Sequence, residues 1–141
     1  MKLTELEPQF LRYVMTPNVP MQIANDPMNF PDGGTHVEFR DQVSYHPVDT
    51  LEEAQGIKFL CPKCFEANGN SSVGTHGVVC WSRSRGVPDD AKPGPGRWKL
   101  DGNGYEDLTL NADPPNELRS VQLTSGCMWH GGITNGEVTP A

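Results

Sequence analysis

Long apolar runs are missing from this sequence: none of its hydrophobic stretches approaches the ~20 residues a membrane-spanning helix needs, which argues against a helical bilayer protein. A secretory leader is not expected either. Met1-Lys2-Leu3-Thr4-Glu5-Leu6-Glu7-Pro8 places acidic residues and a proline where a leader would carry a continuous apolar segment. Basic charge is also scarce, with Lys+Arg 11 against Asp+Glu 18 and a formal charge of −7. Apart from Arg83, Arg85, Lys92, Arg97 and Lys99 the cations are scattered, so the concentrated cationic face that phosphate binding requires is lacking. Neither nucleic acid nor membrane is therefore an expected partner, and the acidity reads as a solubility feature. Synthesis in the cytoplasm would keep the four cysteines reduced unless they bind metal.

Glycine and proline, by contrast, are abundant. Gly 15 and Pro 13 make about a fifth of the 141 residues, against roughly an eighth in average usage, so a small core with long irregular arms is expected. Residues 3–14 carry Leu3, Leu6, Phe10, Leu11 and Val14 at a loose helical spacing, with Pro8 limiting any regular helix to the part after it. The prolines at 17, 20 and 27 predict an extended, wandering path over residues 16–29. Alternation over residues 36–46 predicts one or two strands. Thr50-Leu51-Glu52-Glu53 has the form of a capping box, with Gly56 as its stop, and Ile57-Lys58-Phe59-Leu60 reads as a strand running into Cys61.

Further strands are predicted over residues 77–81 and 119–123, and a hairpin over residues 98–110 that turns at Asp101-Gly102-Asn103-Gly104. Residues 82–97 form a basic, Pro/Gly-rich loop expected to be flexible. The last element is the clearest: Ile133-Thr134 and Glu137-Val138 flank Asn135-Gly136, the pair favoured where both turn residues need positive φ. The expected architecture is mainly β, with small antiparallel hairpins, few short helices and a closing metal site. The expected division is an N-terminal arm with flanking strands over residues 1–56 and a metal-binding β domain over residues 57–141.

The chemistry lies in the cysteines. Cys61-Pro62-Lys63-Cys64 puts two thiols on one turn at a strand end, and Cys127-Met128-Trp129-His130 repeats the spacing with one imidazole. Together they supply three sulfurs and a nitrogen, a complete tetrahedral set for Zn²⁺, and Cys61, Cys64, Cys127 and His130 are the predicted ligands. The 62 residues between Cys64 and Cys127 depart from a compact zinc ribbon, so the match is to ligand logic and not to a standard finger. Burial as ordinary small core residues is the competing account of these cysteines. A redox dithiol is weaker, since it needs a helix behind Cys-x-x-Cys and no helical run is legible there. His76 competes with the chosen ligands, Cys80 reads as a buried thiol between Val79 and Trp81, and His36 and His46 read as surface or turn histidines. Trp81, Trp98 and Trp129 are better explained as core or hairpin residues than as ligand platforms.

These segments also carry a resemblance. Cys-x-x-Cys, the following Gly74-Thr75-His76-Gly77, the Trp-centred hairpin, Asp107-Leu108-Thr109-Leu110-Asn111-Ala112-Asp113 and the closing residues 127–138 resemble a family of small proteins encoded by tailed phages. That family is known as a domain of unknown function, and some members carry an ammonia monooxygenase label. The resemblance covers residues 1–8 and 59–138 and is most specific in the closing segment. It implies a phage origin and a metal site. Where similar proteins show Thr-Pro-Ser after the Leu-Thr-Leu strand, this chain has Asn111-Ala112-Asp113.

Two functions are then expected to compete. One is a non-catalytic structural or accessory protein, such as a minor virion or capsid decoration component. It would act through protein partners in a larger phage assembly, self-association among them, and be found in the host cytoplasm and the virion. The other is a zinc hydrolase with a solvent-bearing fourth position and Glu106, Asp113 or an unused His76 as base, or else an adaptor acting on a host protein. No His-Glu-x-x-His helix is present, and three thiolates would leave the ion a poor Lewis acid, which favours the non-catalytic reading.

Overall fold

The computed structural model describes residues 1–23 and 36–140. Leu3 and Leu6 are both fully buried, and a 3₁₀ turn, Leu3–Leu6, brings them to the same side. The turn ends at Glu7, which adopts a left-handed φ of 49°, and Pro8 follows. The helix expected beyond Pro8 is replaced by strand β1 (Gln9–Ile23). Its consecutive residues Phe10 and Leu11 are both buried, as they are in a strand covered on two faces. Phe10 stacks on Tyr105 with ring centroids 4.2 Å apart, and its amide donates to the Tyr105 hydroxyl at 2.9 Å.

The chain divides at different points from the expected 56/57 boundary. Residues 1–12 and 46–141 make one compact unit, and residues 13–45 make another. In the first, residues 9–11 of β1 pair antiparallel with β3 (Gly56–Leu60), and β3 pairs antiparallel with β4 (Gly77–Trp81) from Gly56↔Trp81 to Leu60↔Gly77. Gly56 opens this strand instead of stopping a helix. A Cβ there would lie 2.5 Å from Cε3 of Trp81 and 2.8 Å from the Cys80 carbonyl, so only glycine lets the Trp81 ring close over the sheet. Before it, Thr50 and Glu53 hold a turn, the Glu53 amide donating to the Thr50 hydroxyl at 3.3 Å and that hydroxyl donating to the Glu53 carboxylate at 2.9 Å.

Strands β5 (Trp98–Asp101) and β6 (Thr109–Ala112) form the expected hairpin, and β7 (Val121–Gln122), β8 (His130–Thr134) and β9 (Glu137–Pro140) form a three-stranded antiparallel sheet. At the β8–β9 turn Asn135 and Gly136 have φ of 48° and 76°, as the Asn-Gly pair requires. The backbone of Gly136 also ties the sheet inward: its amide donates to the Leu108 carbonyl and its carbonyl accepts from the Leu3 amide, each at 2.8 Å. The core gathers Leu3, Leu6, Ile57, Phe59, Leu108, Leu110, Trp129 and Ile133 between these small sheets, and all three tryptophans are buried.

Residues 82–97, read in the sequence as a flexible basic loop, have an organised centre. Arg97 is fully buried, and its guanidinium donates to the carbonyls of Pro88, Asp89, Ala91, Pro93 and Gly96 at 2.7–3.2 Å. One inward-facing cation thus satisfies a run of carbonyls that Pro-rich backbone cannot pair in a ladder.

The second unit is a ribbon of β1 beside β2 (His36–Val48). The wandering path expected over residues 16–29 is strand as far as Ile23, and the remainder of that range lies outside the described residues. Pro17 and Pro20 are tolerated because a ribbon strand has an edge that needs no amide donor. Asn18, at a left-handed φ of 53°, interrupts the alternation between them, and its amide donates to Asp41 at 3.3 Å. No helix among the described residues is long and apolar enough to cross a membrane.

Candidate metal centre

Cys61 follows β3 directly and stands at the N-cap of α1 (Pro62–Ala67), where Pro62 supplies a φ already suited to the first helical position. Phe65 is buried and docks the helix, while Gly69 and Asn70, both at positive φ, end it. A helix thus does stand behind Cys-x-x-Cys, where none was legible in the sequence. Six residues are too few to show a 3.6-residue period, and the motif does sit at a helix start. The case for metal rests instead on donors arriving from two other segments.

The first is His76. The β3–β4 register continues one step past Leu60↔Gly77, so the Cys61 amide donates to the His76 carbonyl at 2.9 Å and the imidazole stands beside the first knuckle. Its Nδ1 lies 3.3 Å from the Gly77 carbonyl, a contact that turns Nε2 toward the cysteines, where a bound metal would take its lone pair. Nε2 is 3.4 Å from the sulfur of Cys127.

Cys127 arrives from the β7–β8 loop. Gly126 and Met128, with φ of 66° and 60°, flank it, and the loop is closed by the Leu123 amide donating to the Trp129 carbonyl at 2.9 Å. The Lys63 ammonium donates to the Cys127 carbonyl at 2.7 Å, joining the two turns outside the sulfur cluster. Donor atoms of Cys61, Cys64, His76 and Cys127 all lie within 4.8 Å of one another, with the Cys61 and Cys127 sulfurs 3.5 Å apart. A tetrahedral Zn²⁺ with sulfur at ~2.3 Å and nitrogen at ~2.0 Å separates its ligand atoms by about 3.5–3.8 Å, close to the spacings of Cys127 from Cys61 and from His76. A disulfide needs ~2.05 Å, and all four cysteines are free thiols. The cluster is thus able to hold a metal ion.

The structure brings together three of the four ligands expected from the sequence and puts His76 in the place of His130. The reason lies in the path the chain takes beyond the first cysteine of each pair. After Cys61 the chain coils into α1, so a residue three positions on returns to the same side. After Cys127 it runs on toward β8: Trp129, just before the strand, turns inward against Phe59 (ring centroids 6.0 Å apart, 82° between planes), and His130, the first residue of β8, is left exposed opposite Gln122. Cys80 is buried on β4 opposite Ile57, outside the cluster, and burial pushes its thiol far up. His46 is exposed on β2.

The three sulfurs differ electrostatically. Burial pushes the Cys61 thiol up to about 11, helped by its Cys127 neighbour and opposed by the Cys64 and Lys63 amides. Burial, then Cys127, also raises Cys64. At Cys127 burial acts upward too, but hydrogen bonds from His76, the Trp129 amide, Cys61 and Cys64 outweigh it and bring the thiol down to about 6. A divalent cation bound here would displace the remaining thiol protons and hold all three sulfurs as thiolates.

His76 was legible only as an alternative ligand. The signal that selects it is register: pairing residues 56–60 antiparallel with 77–81, Gly56 opposite Trp81, sets position 76 beside position 61. No family model, curated protein or solved structure matches the chain.

Proposed function

We propose that this chain is a non-catalytic accessory protein of a larger assembly whose fold is closed by a structural zinc ion on Cys61, Cys64, His76 and Cys127. The observation that carries the metal reading is the convergence of four donors from three separate segments to within 4.8 Å. Three soft sulfurs and one imidazole suit zinc over the harder cations that prefer oxygen. A full protein ligand set supports a structural ion, since a catalytic one keeps a position for solvent. Two of the three residues considered as a catalytic base are also otherwise engaged: His76 belongs to the cluster, and Asp113 is buried and accepts from the Ser84 amide at 3.0 Å, while Glu106 is exposed and outside the cluster. Elemental analysis of the native protein and cobalt substitution test this reading. One metal per chain and an intense thiolate-to-cobalt absorption of tetrahedral form are expected, and a protein that retains no divalent metal would refute it.

The assembly role is supported by the second unit, a two-stranded ribbon that exposes Met15, Met21, Val37, Phe39, Val43 and Tyr45. A ribbon of this kind is marginal by itself and gains stability against a partner surface. Together with the resemblance of residues 59–138 to a phage-encoded family, it supports a place in a phage particle, as a minor virion or capsid decoration component. Mass spectrometry of purified particles against infected-cell lysate decides that placement, and a chain found in the lysate alone would remove it.

A further inference from the structure

The metal clasp has neighbouring sulfurs of unequal access. Cys127 is partly exposed on a loop, between Gly126, around which a side chain would meet open space, and Met128, which is 53% exposed. Cys61 is fully buried at the junction of β3 and α1, 3.5 Å from the Cys127 sulfur. The two residues are 66 positions apart, so a bond between them would link the same two segments that the metal links. Their sulfurs need to approach by only roughly 1.5 Å to reach bonding distance, a shift that side-chain rotation and the open Gly126 turn can supply once no ion holds them apart. Cys64, by contrast, is fixed within α1, its carbonyl accepting from the Asn68 amide at 2.9 Å, and a bond from it to Cys61 would leave the Cys127 loop unattached.

Resting on the metal reading above, we infer that the clasp is a redox switch: hydrogen peroxide converts Cys61 and Cys127 into a disulfide and releases the ion, while the two segments stay tied. The Cys127 thiolate attacks one peroxide oxygen, the O–O bond breaks, and hydroxide leaves a sulfenic acid on Cys127. The Cys61 thiolate then attacks that sulfur, the S–S bond forms, the S–O bond breaks and a second hydroxide departs. Two electrons pass from the two sulfurs to peroxide, two solvent protons convert the hydroxides to water, and the ion, left with Cys64 and His76, dissociates.

The test is a peroxide titration of the zinc-loaded full chain. Released zinc is read with a colorimetric chelator, and the cysteine links are read by peptide mapping without reductant. One zinc released per disulfide formed is expected, with the peptides containing Cys61 and Cys127 cross-linked, and reversal by dithiothreitol with added zinc. A Cys61–Cys64 disulfide, over-oxidised Cys127 without a cross-link, or zinc retained through excess peroxide overturns the switch and leaves the metal reading standing. A chain that holds no zinc before peroxide is added refutes the metal reading, and the switch with it.

Discussion

Which histidine stands with the three cysteines is decided by single side chains. His76 contributes Nε2 at 3.4 Å from the Cys127 sulfur, whereas His130 points away on β8. His76→Ala is expected to weaken zinc binding by at least ten- to a hundredfold, the loss that even an outer-shell partner of a metal ligand produces. His130→Ala should leave both affinity and the cobalt spectrum unchanged, and competition titration against a zinc chelator measures the two. Equal losses in both variants would contradict the arrangement. Asp107 gives a second test. The amides of Asn103 and Gly104, then the Asn103 side chain, hold its carboxyl below the usual carboxylate range, each bond at 2.9 Å. A carboxyl lowered in the folded state contributes stability that is present above its ordinary pKa of about 4 and is lost as the pH falls through the lowered value. Asp107→Asn should therefore melt below the parent at pH 7, and the gap between their thermal melts should narrow as acid is added below about pH 4. A gap that stays constant with acid would mean the charge is not what these donors stabilise.

Elements declared themselves in the sequence to the extent that their cause was local. The β8–β9 hairpin was legible because Asn135-Gly136 meets a strict backbone requirement by itself, and β4 because its apolar residues form one uninterrupted run. The strand from Gln9 was not legible, since its identity depends on pairing with residues 56–58 some forty-five positions away. Helix α1 escaped because it is shorter than two turns. The loop over residues 82–97 looked structureless because its organiser, Arg97, appears in a sequence as one more surface cation. Arg97→Ala should cost on the order of 3 kcal/mol in chemical denaturation, because charged donors to buried carbonyls contribute more than neutral ones and their loss leaves those carbonyls unpaired. Arg97→Lys should recover only part of this, since an ammonium has three donors on a single atom and cannot span carbonyls as far apart as Pro88 and Gly96. A loop that tolerates alanine without loss of stability would show that the buried guanidinium is dispensable.

At the scale of the compact unit, the question is what ties the small sheets together. The β7–β9 sheet meets the rest of that unit at junctions that include the Gly136 backbone bonds, the Val138 amide on the Met1 carbonyl, the Trp129 ring against Phe59, and the cluster that gathers Cys127 with Cys61, Cys64 and His76. The backbone bonds hold the β8–β9 turn and β9. The β7–β8 loop itself is held by Trp129 at its end and by the cluster, with the Lys63 bond beside it. Closing the 62-residue span between Cys64 and Cys127 costs chain entropy that a small Gly/Pro-rich core offsets poorly, so an ion bound at the cluster would contribute directly to folding. Chelation at neutral pH is therefore expected to lower the melting temperature sharply and in a graded spatial order. Amide exchange should quicken first over residues 123–130, where the Leu123 amide depends on the Trp129 carbonyl, and only later at Gly136, whose bonds to Leu3 and Leu108 do not involve the cluster. Hydrogen-exchange mass spectrometry before and after chelation, with metal loss confirmed independently, measures that order. Uniform loss of protection would make the ion a requirement for the whole compact unit, whereas no loss at residues 123–130 would mean that the packing of Trp129 closes the loop without it.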